Sequence, residues 1–173
     1  MIRTKVINDS TDLVSIIRAF DSPLKKEVFM EISKDWVPSS LILNKFGEDG
    51  QLALELFDKM KLAETKWTTP EEGIDGKPQK MYRSFYSLFN INISCPVNEI
   101  SEIFNVSSLD DEHFKKLEEE IYDYIGDNGT FANKVSEYFG ISNTALKAFV
   151  KRSSKFQYTG LKITRSQPDL EGT

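Results

Sequence analysis

The chain has 173 residues, 39% of them hydrophobic and 28% charged, a composition that suits one compact domain or two small ones and excludes a disordered or fibrous protein. Its formal net charge of −5 hides an asymmetry, because Ile141 to Gln167 holds six Lys or Arg and no Asp or Glu while the rest is strongly acidic. Charge interrupts every apolar run well before the ~20 residues a membrane span needs, and the single cysteine, Cys95, cannot close an internal disulfide, so a reducing cytoplasm is the expected setting.

Thr4 to Ile7 reads as a short strand or an unstructured arm. Leu13, Ile16, Ile17 and Phe20 recur at helical spacing behind Ser10, a suitable N-cap. Ser22-Pro23 restarts the chain, with Pro23 at a first helical position and Leu24, Val28 and Ile32 forming an apolar stripe below Trp36. Pro38 opens a third helix that turns Leu41, Ile42 and Phe46 inward and ends at Gly47. The next helix, from Glu48, is expected to bury Leu52, Leu56 and Met60, with Ala53 and Phe57 beside them. A strand around Glu64 to Trp67 follows, then turn chemistry at Pro70, Gly73, Gly76 and Pro78, then one or two returning strands between Lys80 and Ile93, whose Tyr82, Phe85, Tyr86 and Phe89 have the spacing of core residues.

Cys95-Pro96 marks a boundary, since the residue before proline avoids helical geometry. We therefore expect a first domain over 1–95, a connector over 96–108, a second domain over 109–167 and a frayed tail over 168–173. In the second domain Phe114, Leu117, Ile121 and Tyr124 line one face of an otherwise acidic helix, a candidate dimer contact. Thr130 is a candidate cap for a helix burying Phe131, Val135 and Phe139. Gly140 ends that helix, Ser142 starts the next, and Phe156 to Ile163 reads as a hairpin about Thr159-Gly160.

The pattern occurs twice. Lys45-Phe46-Gly47 lies over Tyr138-Phe139-Gly140, and Leu52, Ala53, Leu56 and Phe57 lie over Ala145, Leu146, Phe149 and Val150. A short helix ending at Gly, a tight turn and a second amphipathic helix is helix-turn-helix spacing, and each copy precedes a hairpin. The predicted fold is therefore mainly α with small β-hairpins (α+β), built as tandem winged helix-turn-helix units.

In such a unit the second helix enters the major groove of DNA, its first turn reaching base edges while later cations meet phosphates. Ser142, Asn143, Thr144 and Lys147 are the candidate base readers. Lys151, Arg152, Lys155, Lys162 and Arg165 are candidate phosphate contacts, with Lys147, Lys151 and Arg152 expected on the solvent side. The first copy carries Glu48, Asp49, Glu55 and Asp58 on its second helix, leaving Gln51 as a base reader and Lys77, Lys80 and Arg83 as backbone contacts. The partners expected are double-stranded DNA and a second copy of the chain. The alternative is a scaffold in which the paired units bind proteins of a transcription or chromosome-organising complex.

No catalytic constellation accompanies these features. His113 is the only histidine, Cys95 the only cysteine, and no Gly-rich phosphate loop is present, so neither enzyme activity, nor a cofactor, nor a metal centre is expected.

The residues from Leu13 to Phe89 resemble the winged helix of the ArsR-type transcriptional regulators. The resemblance lies in "IIRAFDSPLKKEVFMEIS" from Ile16, "SSLILNKFG" from Ser39 and "LFDKMKLAETKW" from Leu56. It implies a DNA-binding dimer that represses or activates nearby promoters, with the helix from Glu48 to Met60 as reader, and a repressor-type regulator is the expectation. Ser39 to Phe46 lacks the cysteine motif of the metal-responsive members, so release by metal is not implied. With its basic C-terminal unit the chain is similar to a two-domain form common in archaeal genomes.

Overall fold

The computed structural model describes residues 2–69 and 76–166. Pro70 and Gly73, read above as turn residues, and the tail from Pro168 to Thr173 lie outside the described residues. The elements are β1 (Thr4–Ile7), a 3₁₀ turn (Ser10–Asp12), α1 (Leu13–Phe20), α2 (Pro23–Ile32), β2 (Val37–Pro38), α3 (Ser39–Lys59), β3 (Ala63–Trp67), β4 (Lys80–Ser84), β5 (Leu88–Ile91), α4 (Val97–Ser108), α5 (Asp111–Ile125), β6 (Thr130–Phe131), α6 (Ala132–Phe139), α7 (Asn143–Arg152), β7 (Phe156–Thr159) and β8 (Lys162–Arg165). The fold is mixed α+β with helices predominant, in line with the class read from sequence. The chain forms two compact units. One takes in the chain up to Asn8 with Ile16–Asn92; the other joins Asp9–Ser15 to the chain from Ile93.

In the first unit the Ser22 hydroxyl accepts the Lys25 amide N–H at 3.2 Å and Pro23 fills a first-turn position, so α2 starts as expected. Val28, Phe29 and Ile32 of α2 pack on Ile42, Ala53, Leu54 and Phe57 of α3 and on Tyr82 of β4. The Phe29 ring stands edge-on to Phe57 at 5.2 Å and to Phe20 at 5.1 Å, the favoured aromatic geometry. Gly47, at φ +69°, breaks α3 into two helical halves. Gly50 lies where the halves meet, and a Cβ there would stand 2.6 Å from Phe46 Cβ and 3.1 Å from Ile42 Cγ2.

The antiparallel sheet of this unit has the order β2-β4-β3, with Val37 and Thr65 on either side of Tyr82. β5 leaves that sheet and pairs in parallel with β1, which makes Thr4–Ile7 a strand and buries Ile7 completely. Glu64 accepts from Arg83 Nη2 at 2.6 Å and from Arg3 Nη1 at 2.9 Å. Burial alone would push the Glu64 carboxyl up, but these two guanidinium groups hold it below its usual range.

In the second unit the expected connector is a twelve-residue helix, α4, packed on α7. Pro96 ends the extended segment and serves as its N-cap, and Ile103 anchors it fully buried. Thr130 does not cap a helix burying Phe131. It lies in β6 opposite Ile163, its hydroxyl bonds the Ile125 carbonyl, and Phe131 is exposed, because pairing with β8 turns that side chain outward. The acidic helix α5 buries Phe114 and Ile121 as its pattern predicts, while Leu117 and Tyr124 are only partly buried and Glu118 and Ile125 complete the buried face.

The second sheet, β6-β8-β7, repeats the order of the first. Each unit contains a short strand, a helix ended by glycine, a second helix and a hairpin whose later strand is central. After the glycine the register read from sequence shifts. The buried row Gly50, Ala53, Leu54 and Phe57 corresponds to Leu146, Phe149, Val150 and Ser153, while Leu52 is 60% exposed. Gly47 leads directly into helix, whereas Gly140 is followed by Ile141 and Ser142 before α7 begins.

Two stability tests follow from these contacts. Gly50→Ala is expected to destabilise the protein by about 1–3 kcal/mol through overpacking against Phe46 and Ile42, measured by urea unfolding. Glu64→Gln is expected to cost about 1 kcal/mol at neutral pH. Because the folded carboxyl titrates below its usual 4.5, that contribution is complete above this pH and disappears as the pH falls through the depressed value, so thermal melts of the two proteins should converge in acid.

Candidate nucleic-acid interface

The second glycine turn builds the site. Val135 and Ser136 anchor α6, Gly140 takes the left-handed conformation at φ +63° and ψ +31°, and the Ile141 N–H returns to the Ser136 carbonyl at 3.1 Å. The Ser142 hydroxyl accepts from the Ala145 N–H at 3.0 Å, capping α7, and donates to Glu102 Oε2 at 2.5 Å. Burial of Leu146, Ala148, Phe149 and Val150 then leaves Lys147 outward.

A cleft of about 760 Å³ separates the starts of α6 and α7 from the tip of the β7–β8 hairpin, lined by Phe131, Asn133, Lys134, Asn143, Lys147, Tyr158, Gly160 and Leu161. Lys134 and Lys147 both face it and neither makes an ion pair with a described residue. Lys162 Nζ stands 5.3 Å over the Phe131 ring on the same side. Asn143 Oδ1 accepts from Ser136 Oγ at 2.9 Å, which orients its amide NH₂ group as a donor. Burial pushes the Tyr158 phenol up, so it stays protonated and able to donate at physiological pH. Exposed ammonium groups, amide donors and a hairpin edge can bind a polyanion and read polar groups beside it.

Most of the other candidate cations are engaged internally. Lys151 pairs with Asp12 at 2.6 Å and Lys155 with buried Glu118 at 3.1 Å. Arg165 pairs with Asp127, donates to the Tyr122 carbonyl at 2.9 Å and lies 3.9 Å over the Tyr122 ring. Arg152 is not on the solvent side as expected: its side chain is 3% exposed, Nη1 donates to the Val106 and Leu109 carbonyls at 2.8 and 2.6 Å, and Nη2 meets Asp111 at 2.8 Å. Its guanidinium also covers the Phe114 ring at 4.0 Å. It ties α7 to the end of α4 and the start of α5. Thr144 is partly buried at the start of α7.

In the first unit Lys80 pairs with Asp58 at 3.0 Å, and Arg83 binds Glu64 and covers the Trp36 ring at 4.6 Å. Lys77 is exposed, and Gln51 lines the equivalent cleft beside Glu48, Leu43, Leu52 and Trp67. Of the candidates, Asn143 and Lys147 thus line one cleft, Lys162 lies over the Phe131 ring that borders it, and most of the other cations are engaged elsewhere. Sequence reasoning missed Lys134 and Asn133. The available signal was a cation in the first turn of the helix before the glycine, the end that abuts the hairpin.

A family model for the ArsR transcriptional regulator matches residues 7–167, most of the chain. The chain belongs to the ArsR transcriptional regulator family, a regulator family rather than an enzymatic one, and this supports a role in DNA binding and transcription regulation. No curated protein and no solved structure matches it. Among the described residues no helix is long and apolar enough to cross a membrane.

Arg152 separates architecture from binding. Arg152→Ala leaves two carbonyls and Asp111 without this donor and is expected to destabilise the protein by about 2–4 kcal/mol in chemical unfolding. Arg152→Lys should recover only part of the loss, because a single ammonium cannot reproduce the planar fork.

Proposed function

We propose that the protein is a homodimeric transcriptional regulator of repressor type, built from tandem winged helix-turn-helix units, that binds double-stranded DNA through its second unit. In this reading α7 enters the major groove with Asn143, Thr144 and Lys147 toward base edges, while Lys134 and Lys162 meet flanking phosphates and the β7–β8 hairpin acts as the wing. The observation that carries it is the pair of exposed ammonium groups, Lys134 and Lys147, neither in an ion pair with a described residue, in one cleft beside the hairpin of a chain from a regulator family. A second copy is required because two-fold symmetric half-sites demand two readers. A bound dimer would act by occluding its promoter.

Binding driven by counterion release weakens steeply with salt. Anisotropy on labelled random duplex DNA over a salt series should show this slope for wild type. Lys134→Ala/Lys147→Ala should bind at least about tenfold more weakly with a salt slope lower by up to about 2. Lys155→Ala, which removes a cation already paired with Glu118, should change DNA affinity much less. Equal binding by the double variant, or no binding at low salt by the folded wild type, would reject the proposal.

A further inference from the structure

The first unit has a groove at the same place in its topology, and its chemistry is opposite. About 700 Å³ of space lies between the two halves of α3 and the β3–β4 hairpin, within the range of pockets that enclose a ligand. Its apolar lining is open to solvent: Leu43 is 44%, Leu52 60% and Trp67 67% exposed. Single exposed apolar side chains are ordinary, but three around one groove form the kind of patch that marks an interaction surface.

The electrostatics of the rim exclude one class of occupant and select another. Glu48, Leu52 and Glu55 follow one another at helical spacing on one face of α3, and Asp49 is adjacent. None of these three carboxylates pairs with a described cation, while Lys80, the cation lining the groove, is held by Asp58 at 3.0 Å. Glu48 lines the groove, and Glu55 stands one turn beyond Leu52 on the same helix face, both without a described counter-ion. Phosphate would be repelled where the second unit's cleft attracts it. A two-fold contact through the groove would bring two such sets of carboxylates together, which disfavours a second copy as occupant.

We propose that this groove docks a short segment of a partner protein that carries a bulky apolar side chain flanked by Lys or Arg. The apolar side chain enters between Leu43, Leu52 and Trp67, and the flanking cations meet Glu48 and Glu55. The inference does not rest on the DNA role of the second unit. Together the two would give a regulator that holds DNA with one unit and a basic protein segment with the other.

The test uses the full chain carrying Trp36→Phe, so that tryptophan emission reports Trp67 alone. The probes are unlabelled twelve-residue peptides with Leu or Phe anchors flanked by Lys, a matched set flanked by Glu, and a set with the anchor replaced by Ala. The expected result is a saturable emission change with Lys-flanked peptides and at least tenfold weaker binding by both control sets. Glu48→Gln/Glu55→Gln, at exposed positions outside the core, should weaken the Lys-flanked peptides at least about threefold, and Leu52→Asp at least tenfold, with circular dichroism unchanged. Equal binding of Lys- and Glu-flanked peptides, or no saturable response at about 1 mM peptide, would overturn the proposal. So would a Trp67 response to random duplex DNA, which would assign the groove to nucleic acid, or one to dilution of the protein alone, which would assign it to a second copy.

Discussion

Apolar burial of one row on the helix that follows each glycine governs what both units can present to a partner. Ala53, Leu54 and Phe57 in one unit, and Leu146, Phe149 and Val150 in the other, are fixed against their cores. Because side chains three and four apart share a face, fixing that row also fixes which residues look outward beside the hairpin. In the first unit these are Glu48, Gln51 and Leu52; in the second they are Asn143 and Lys147. The same scaffold geometry therefore yields an apolar groove bordered by Glu48 in one case and a cleft lined by two lysines in the other.

Electrostatic pairing refines this division. The six cations between Ile141 and Gln167 suggest a continuous basic surface, yet Lys151, Arg152, Lys155 and Arg165 are matched with carboxylates from other elements of the same unit. Arg152 acts as architecture, since a planar guanidinium can satisfy carbonyls at the end of α4 while covering an aromatic ring. The N-terminal turn contributes as well. Thr11, by hydroxyl and backbone N–H, and then Lys147 and Lys151 hold the Asp9 carboxyl below its usual range, and Asp12 neutralises Lys151. A negative segment distant in sequence thus tempers the end of α7 and leaves the cleft side cationic.

Local signals were legible wherever a residue's role is decided within one or two turns. Ser22 and Ser142 cap helices, Pro23 opens one, Gly47 and Gly140 break helices, and Thr159-Gly160 turns a hairpin, each for a backbone reason contained in a few residues. The helix α4 was not legible because Ile100 and Ile103 give only a short apolar stripe; it is held by packing on α7, which no local pattern reveals. Phe131 was misread for a related reason: β6 exists only through its pairing with β8. Similarly, Leu52 and Leu54 exchanged roles because the two glycine turns differ in length.

By itself the sequence determined the class of the fold, the doubled helix-glycine-helix pattern, most element boundaries and the resemblance to ArsR regulators, because propensity, capping and apolar periodicity act over short distances. Only the tertiary structure decided which cations remain available and which stretch of exposed leucine and tryptophan forms a groove. An ion pair or a groove wall depends on residues far apart in the chain, such as Arg152 with Val106 or Leu52 with Trp67, and composition carries no record of who meets whom.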